Sequence, residues 1–341
     1  MIAPGDKAVL RLAIGLGLAV LVAYGFALQM PHVVCLMATM LLCKPGPPIP
    51  PVKAVAMALL LAGLLITGVL MVPLLENYAL AGVLLTGAIL YALFFFGIRT
   101  GNPLTMLLVV AFTLIPVAGV AEQALVTIIS VTIAVGIAVG SLVSGFSHAF
   151  FPDALAAKAA KASPPGRETA SWIALRGTLV VMPVFVLALT DPSFYLAAIM
   201  KAAALGQQAG STDTRSAGRE LVGSTLMGAA MALAVWLGLS LWPSLWMLML
   251  WMMAAALWAG ARLFRVRRTR LPPVFWSDAL VTMLILLGPA IEDSAGSTGV
   301  LAASAVRVCL FVGVALYAWA TVWLLERWRA SRSEALFFHN G

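Results

Sequence analysis

Apolar runs of about 20 residues recur along the whole chain, from Leu10 to Leu325. A run of that length crosses the roughly 30 Å hydrocarbon core of a bilayer as an α-helix. Strands of a membrane barrel would alternate apolar and polar residues over about 10 positions, and these runs do not alternate. Only 10% of the residues are charged, against about 25% in a soluble domain. The sequence therefore predicts an all-α polytopic membrane protein.

The apolar runs divide into twelve predicted transmembrane spans. The first run lacks a small-residue cleavage site and is followed at once by more apolar sequence, so we interpret it as a span rather than a signal peptide. The predicted spans cover residues 8–28, 30–43, 53–73, 78–98, 102–119, 123–147, 172–190, 192–208, 219–241, 243–262, 275–291 and 298–326.

The charged residues between the spans separate by sign. Acids alone occupy the connections on one side, and every lysine or arginine of the connections falls on the other side. The positive side of a membrane protein is cytoplasmic, so both termini are expected in the cytoplasm. The acidic connections contain Glu76, Glu122, Asp191, Glu292 and Asp293; the basic ones contain Lys7, Arg11, Lys44, Lys53, Arg99, Lys158, Lys161, Arg167, Arg215, Arg219, the run at 262–270, Arg327, Arg329 and Arg332.

The two halves of the chain resemble each other. "LRLAIGLGLAV" at 10–20 matches "LRGTLVVMPVF" at 175–185, which places Arg11 opposite Arg176. Pro31 opens the second span as Pro192 opens the eighth. Six spans per unit is an even number, so the two units are expected to lie parallel in the membrane. The predicted domains are a first six-helix repeat at 1–147, a linker at 148–171, a second repeat at 172–327 and a cytoplasmic tail at 328–341.

Catalytic and metal-binding signatures are not found in the sequence. The three histidines stand apart, at His32, His148 and His339, and no HExxH, GxSxG or Walker A motif accompanies them. The three cysteines show neither CxxC nor zinc-ligand spacing. We therefore expect neither an enzyme nor a cofactor or metal.

Three ionisable residues within predicted spans stand out, because a charge there is costly and usually faces a cavity or a partner. Lys201 lies nine residues after Pro192, and Arg307 lies nine residues after Thr298, or roughly 14 Å along a helix. Two cations at one depth predict an anion site; the alternative for Lys201 is that its ammonium group extends to the interface. Asp278 is a candidate for proton coupling, or an acid that favours a helix N-terminus.

Aromatic and basic residues of the second half admit two interpretations each. Trp251 and Trp258 lie deep enough to stack on an aromatic ligand, or they pack in the core. The run "RLFRVRRTR" at 262–270 sets topology, or it binds anionic lipid or nucleic acid.

The short second helix begun by proline, the stretch "FFFGIRTGNPLTMLLVVAFTLIPVAG" at 94–119 and the parallel repeat resemble the fusaric acid resistance and aromatic acid exporter (FUSC-like) superfamily. The likeness is to a compact branch of unknown function. It implies a bacterial inner-membrane protein that exports small organic, often aromatic, carboxylic acids. It also implies a membrane fusion protein of the haemolysin-secretion type and an outer-membrane channel as partners. Members of the superfamily carry large cytoplasmic domains, whereas the linker and tail here are short.

The expected function is therefore efflux of an organic anion, with Lys201, Arg307, Trp251 and Trp258 binding the substrate and Asp278 coupling transport to protons. No nucleotide-binding motif is found in the sequence, so the proton gradient is the expected energy source. Two other functions remain open: an anion channel, and a membrane scaffold for a secretion or efflux assembly that does not itself transport.

Overall fold

The computed structural model describes residues 4–44, 46, 50–100, 103–152, 165–209, 214–294 and 300–339. Within these residues every regular element is an α-helix. The helices are α1 (Pro4–Gly25), α2 (Pro31–Leu42), α3 (Pro51–Val69), α4 (Val72–Asn77), α5 (Ala79–Thr100), α6 (Pro103–Ala121), α7 (Gln123–Phe150), α8 (Arg167–Thr190), α9 (Pro192–Ala209), α10 (Thr214–Leu241), α11 (Leu245–Leu263), α12 (Pro273–Ser294) and α13 (Val300–His339).

The predicted helical membrane architecture is confirmed. In the part of the chain that the structure describes, nine helical stretches are long and apolar enough to cross a bilayer. Three shorter apolar helices, Pro31–Leu42, Leu108–Ala121 and Phe194–Gly206, fall on the remaining predicted spans. The chain is thus a multi-pass membrane protein.

The ends of the helices follow from local chemistry. Proline is the first residue of α2, α6, α9 and α12, where its missing N–H removes no intrahelical hydrogen bond. Ser244 caps α11, since its hydroxyl accepts a 3.2 Å hydrogen bond from the Met247 N–H. α7 continues to Phe150 and α8 begins at Arg167. The middle of the predicted linker, residues 153–164, lies outside the described residues.

The helices gather into two compact units. Unit 1 contains Met1–Ile66, Gln123–Ala162 and Ser224–Cys309; unit 2 contains Thr67–Glu122, Ser163–Gly223 and Leu310–Gly341. Each unit therefore combines helices from both halves of the sequence. The predicted division into two sequential repeats stays a prediction.

Unit 1 is built around α1 and α2. α1 packs against α11, α2 and α7, and α2 packs against α7 and α12. The approach of α2 to α7 depends on Gly140, because a Cβ there would lie 2.8 Å from the Ala38 Cα atom. Gly136, Gly140 and Ser144 follow one another at four-residue spacing, and a face of such small residues permits close helix packing. The structure places both glycines against α2.

Unit 2 is built around the pair formed by α8 and α9. α5 and α6 pack against α8, and α6 also packs against α9. Gly177 of α8 and Gly206 of α9 face each other, because a Cβ on Gly206 would lie 3.2 Å from the Gly177 carbonyl oxygen. The Phe94 ring of α5 closes over the same point, 3.3 Å from that Cβ position. These three residues form a tightly packed layer, the Gly177–Gly206–Phe94 layer.

Candidate functional site

Lys201 lies on α9 in unit 2 and has no exposed surface. It is one of the largest side chains that the protein buries completely. A lysine that extended to the membrane interface would expose its ammonium group, so the structure favours an interior role. An ionised group enclosed at this position requires compensation by polar or charged neighbours.

The helices packed against α9 supply buried hydroxyl groups. Thr113 of α6 donates a 2.7 Å hydrogen bond to the Val109 carbonyl, and Thr178 of α8 donates a 2.9 Å hydrogen bond to the Ala174 carbonyl. Both side chains are buried. Because each hydroxyl donates within its own helix, its oxygen keeps the capacity to accept. Unit 2 thus has a polar component in an otherwise apolar core.

A cleft of about 420 Å³ opens in unit 2 where α5 ends and α8 begins. Its walls are two aromatic rings, Tyr91 and Phe95, and three polar side chains, Arg167, Glu168 and Ser171. The Tyr91 and Phe95 rings stack with centroids 6.4 Å apart and an interplanar angle of 17°. The cleft is open to its surroundings, and its lining combines two aromatic faces with three polar groups.

A hydrogen bond fixes the inner wall of the cleft. The Tyr91 hydroxyl and the Ser171 Oγ atom lie 2.7 Å apart and join α5 to α8. Arg167 and Glu168, at the rim, are exposed. The cleft therefore presents aromatic faces beside one cation and one anion.

The cleft adjoins the glycine layer, and Lys201 lies further along α9. Ser171 precedes Gly177 by six residues on α8, and Lys201 precedes Gly206 by five residues on α9. At 1.5 Å per residue these steps correspond to about 9 Å and about 8 Å along the two helices. On α5, Phe94 of the layer lies between the cleft residues Tyr91 and Phe95 in the sequence.

An ion pair in unit 2 was not foreseen as a site. Arg176 of α8 is 4% exposed, and its Nη1 atom donates a 3.1 Å hydrogen bond to Glu326 Oε1 of α13. The Trp172 indole N–H donates to the same oxygen at 3.0 Å. The rings of Trp172 and Trp328 stack with centroids 6.1 Å apart. The carboxylate thus joins two donors of α8 to α13.

The arginine that aligns with Arg176 in the first half, Arg11, is also buried and hydrogen-bonded. Arg11 of α1 is 6% exposed, although the charge pattern assigned it to the connections. Its Nη1 atom donates a 3.2 Å hydrogen bond to the Phe151 carbonyl, just beyond α7. The signal for both arginines was present in the sequence, because each lies inside an apolar run and the two align in the repeat.

Asp278 lies in the second turn of α12 in unit 1 and is half-buried. Ser224 of α10 donates a hydrogen bond to its Oδ2 atom at 3.4 Å. The side chains of Ser224, Thr225 and Thr282 have no exposed surface. The first turn of α12 holds no acid, so a favourable interaction with the helix dipole accounts less well for this carboxylate. It belongs to a buried polar cluster between α10 and α12.

The other predicted substrate residues also lie in unit 1. Arg307 is half-buried on the first part of α13. Trp251 of α11 packs on α10, where its indole ring fills the space beside Gly238 that a Cβ would need. The Trp258 and Trp276 rings make an edge contact with centroids 5.4 Å apart. Part of the Trp258 surface therefore packs against protein. Lys201 belongs to unit 2 and Arg307 to unit 1, and the anion site shared by the two stays a prediction.

Among the described residues no group of three or more His, Cys, Asp or Glu side chains is arranged to hold a metal ion.

Residues 8–147 match the family model described as a protein of unknown function, DUF2955. The chain is similar to that family over its first predicted repeat. No curated protein and no solved structure matches the chain.

Proposed function

We propose that this protein is a transporter that exports small aromatic carboxylates across the bacterial inner membrane. The observation that carries the proposal is the complete burial of Lys201 in a membrane helix of unit 2. An intramembrane cation that the fold encloses marks a substrate or ion path in membrane proteins. The aromatic cleft on the same unit supports the substrate class.

The cleft is proposed as the first binding position of the substrate. Its aromatic walls suit a planar ring, and Arg167 suits a carboxylate. By the charge pattern this end of α5 and α8 faces the cytoplasm. A substrate would then pass the Gly177–Gly206–Phe94 layer to reach Lys201. Arg307, Trp251 and Trp258 remain proposed substrate contacts from unit 1.

Charge changes at the rim of the cleft have opposite expected effects. Arg167→Gln removes the exposed cation and is expected to raise the half-saturating substrate concentration about fivefold, the size of an exposed ion-pair contribution. Glu168→Gln removes a like charge and is expected to lower that concentration. The measurement is the initial efflux rate against internal substrate concentration. Lys53→Gln, at an exposed position of unit 1, is the control. Equal effects of Arg167→Gln and Lys53→Gln would remove the cleft from the path.

Asp278 is proposed to couple export to proton entry. Asp278 is a carboxylate within a predicted span and has a hydroxyl neighbour, and acids inside membrane helices mark proton paths in transporters. Asp278→Asn keeps the shape and the capacity to accept from Ser224 but removes the titration. Its efflux is expected to lose stimulation by an imposed pH gradient while efflux down a substrate gradient remains. Continued stimulation in Asp278→Asn would exclude this role.

The transport itself is tested in proteoliposomes loaded with labelled benzoate, 4-hydroxybenzoate or phthalate. Phthalate carries two carboxylates and leaks little through lipid. Acidifying the outer medium is expected to accelerate efflux above that of protein-free liposomes. If no acid of the three leaves faster than from protein-free liposomes, the proposed function is wrong. An ohmic current without dependence on the pH gradient would indicate the alternative, an anion channel.

Two parallel six-helix repeats, one in each half of the sequence, are part of the same proposal. In unit 1, α1 packs against α11 and α2 against α12. In unit 2 the equivalent helices of the repeat pair in the same way, α8 with α5 and α9 with α6. The buried arginines of α1 and α8 add a further equivalence. These correspondences support a repeat in which the fourth and fifth helices of each half pack against the first and second helices of the other half.

The proposed partners are a membrane fusion protein of the haemolysin-secretion type and an outer-membrane channel. Both termini are proposed to lie in the cytoplasm. If a variant lacking every intramembrane charge still supported efflux by such an assembly, the chain would be a scaffold and not the transporter.

A further inference from the structure

A cluster of arginine and tryptophan side chains lies at the junction of α11 and α12 in unit 1. The Arg262 guanidinium carbon is 3.9 Å from the centroid of the Trp258 ring and 5.0 Å from that of Trp276. Its Nη1 atom donates a 2.7 Å hydrogen bond to the Trp258 carbonyl. Cation–π contact and this hydrogen bond hold the guanidinium in one place. The cation is therefore ordered before any ligand binds.

The loop that follows is basic and structured. It carries four further exposed arginines, Arg265, Arg267, Arg268 and Arg270. The Arg267 N–H donates to the Ala261 carbonyl at 2.8 Å, which returns the chain onto the end of α11. Val266 packs on α1, where a Cβ on Gly5 would lie 2.8 Å from its Cγ2 atom. Ordering the loop in advance lowers the entropy lost when the arginines bind a common anion.

Few acids oppose these charges. Asp6 lies in the first turn of α1, beside Gly5, and is half-buried. Asp278 lies two residues after Trp276 and accepts from Ser224. Trp276 is 4% exposed, and its indole N–H has no acceptor within the described ranges. The cluster thus offers hydrogen-bond donors and positive charge in excess of acceptors.

The same surface is apolar as well as cationic. Trp258 is 40% exposed, and Val266 and Val274 are each nearly half exposed. A soluble anion would leave these apolar groups uncovered, whereas a phospholipid covers them with acyl chains and presents its phosphate to the arginines. Tryptophan also favours the boundary between headgroups and hydrocarbon.

We propose that Trp258, Arg262 and the arginines of 265–270 form a binding site for the headgroup of an anionic phospholipid. The site shares Trp258 with the transport proposal but uses neither Lys201 nor the residues of the cleft, and lipid retention is measured without transport. Setting topology and binding lipid are compatible, since the first depends on charge alone and the second on the placement of Arg262.

The test is a titration of the purified protein in detergent with phosphatidylglycerol, with phosphatidylcholine as the zwitterionic comparison. Lipid retention is measured by native mass spectrometry and stability by thermal unfolding. Replacing the four loop arginines by glutamine is expected to weaken phosphatidylglycerol retention by about fivefold per arginine. The matched control removes four positive charges elsewhere, with Lys44→Gln, Lys53→Gln, Arg99→Gln and Arg167→Gln. Equal losses in both variants would show attraction by net charge alone and overturn the site.

Arg262→Lys is the second variant, because it keeps the charge and so the predicted topology. It is expected to lose several-fold in phosphatidylglycerol retention, since an ammonium lacks the planar, multiply donating guanidinium that contacts the Trp258 ring and the Trp258 carbonyl. Arg99→Lys, where a single cation–π contact of 5.8 Å is altered, is expected to have no effect. Unchanged retention in Arg262→Lys would remove Arg262 from the site. Equal stabilisation by inorganic phosphate or glycerol phosphate would identify a site for a soluble anion and contradict a lipid.

Discussion

Lys201→Met is expected to reduce efflux of an aromatic carboxylate by about 10- to 100-fold, the contribution of a hydrogen bond to a charged group. Methionine fills a similar volume without charge, and the repeat places a methionine, Met40, at the equivalent position of the first half. An enclosed ammonium group carries a desolvation cost that methionine does not. The fold should therefore persist while transport is lost. Initial efflux rates from proteoliposomes, at matched protein content, provide the measurement.

Two further measurements make this result decisive. Lys53→Met removes a lysine from an exposed position and is expected to transport normally. Thermal unfolding of Lys201→Met and Lys201→Gln distinguishes a transport role from a structural one. If both variants unfold at much lower temperature, Lys201 supports the fold and its role as an anion site is contradicted. Normal efflux in stable Lys201→Met protein would contradict it equally.

Glu326→Leu is expected to lower the free energy of unfolding by about 2 kcal/mol. The change keeps the Arg176 guanidinium buried but removes the carboxylate that accepts from both Arg176 and Trp172. Breaking a buried ion pair on one side costs about 3–5 kcal/mol. The Glu326 side chain is 23% exposed, so solvent screening reduces the effect. Unfolding in mixed detergent micelles is the measurement.

The double variant Arg176→Leu with Glu326→Leu separates the contribution of the ion pair from that of packing between α8 and α13. Replacing both partners by apolar residues is expected to recover most of the lost stability, because no buried charge then remains at this position. Glu168→Gln, an exposed acid on the same helix, is expected to change stability little. A double variant as unstable as Glu326→Leu would show that packing, and not the ion pair, joins α8 to α13.

The helices themselves were largely predictable from the sequence. Apolar runs of about 20 residues require helices in a bilayer, since every backbone N–H and C=O group must be satisfied within the segment. Prolines set several of the starts, as at Pro31 and Pro192. The main difference is at the ends, where polar residues extend α8 back to Arg167 and α13 on to His339. Hydropathy cannot place such ends, because the extra turns lie beyond the apolar run.

The candidate site was only partly predictable. The cost of a charge in an apolar run identified Lys201, Asp278 and Arg307 without any knowledge of packing. The same argument applied to Arg176 and Arg11, but the charge pattern assigned Arg11 to topology and Arg176 entered only through the repeat. The cleft of Tyr91, Phe95 and Arg167 had no signal in sequence, because its walls come from two helices about 75 residues apart.

The sequence by itself determined that this chain is an all-helical membrane protein, where most of its helices lie and which of its charges are out of place in an apolar run. These properties depend on the length and polarity of contiguous segments, to which the bilayer responds directly. Only the tertiary structure decided that Lys201 is enclosed by protein, that Arg176 pairs with Glu326 and that Arg262 contacts the rings of Trp258 and Trp276. It also decided that each compact unit draws helices from both halves. Those outcomes depend on which helices approach each other, and in lipid that choice comes from close packing at small residues such as Gly140, Gly177 and Gly206 and from polar contacts between distant segments. The hydrophobicity of successive residues indicates neither which helices pack closely nor which polar groups meet.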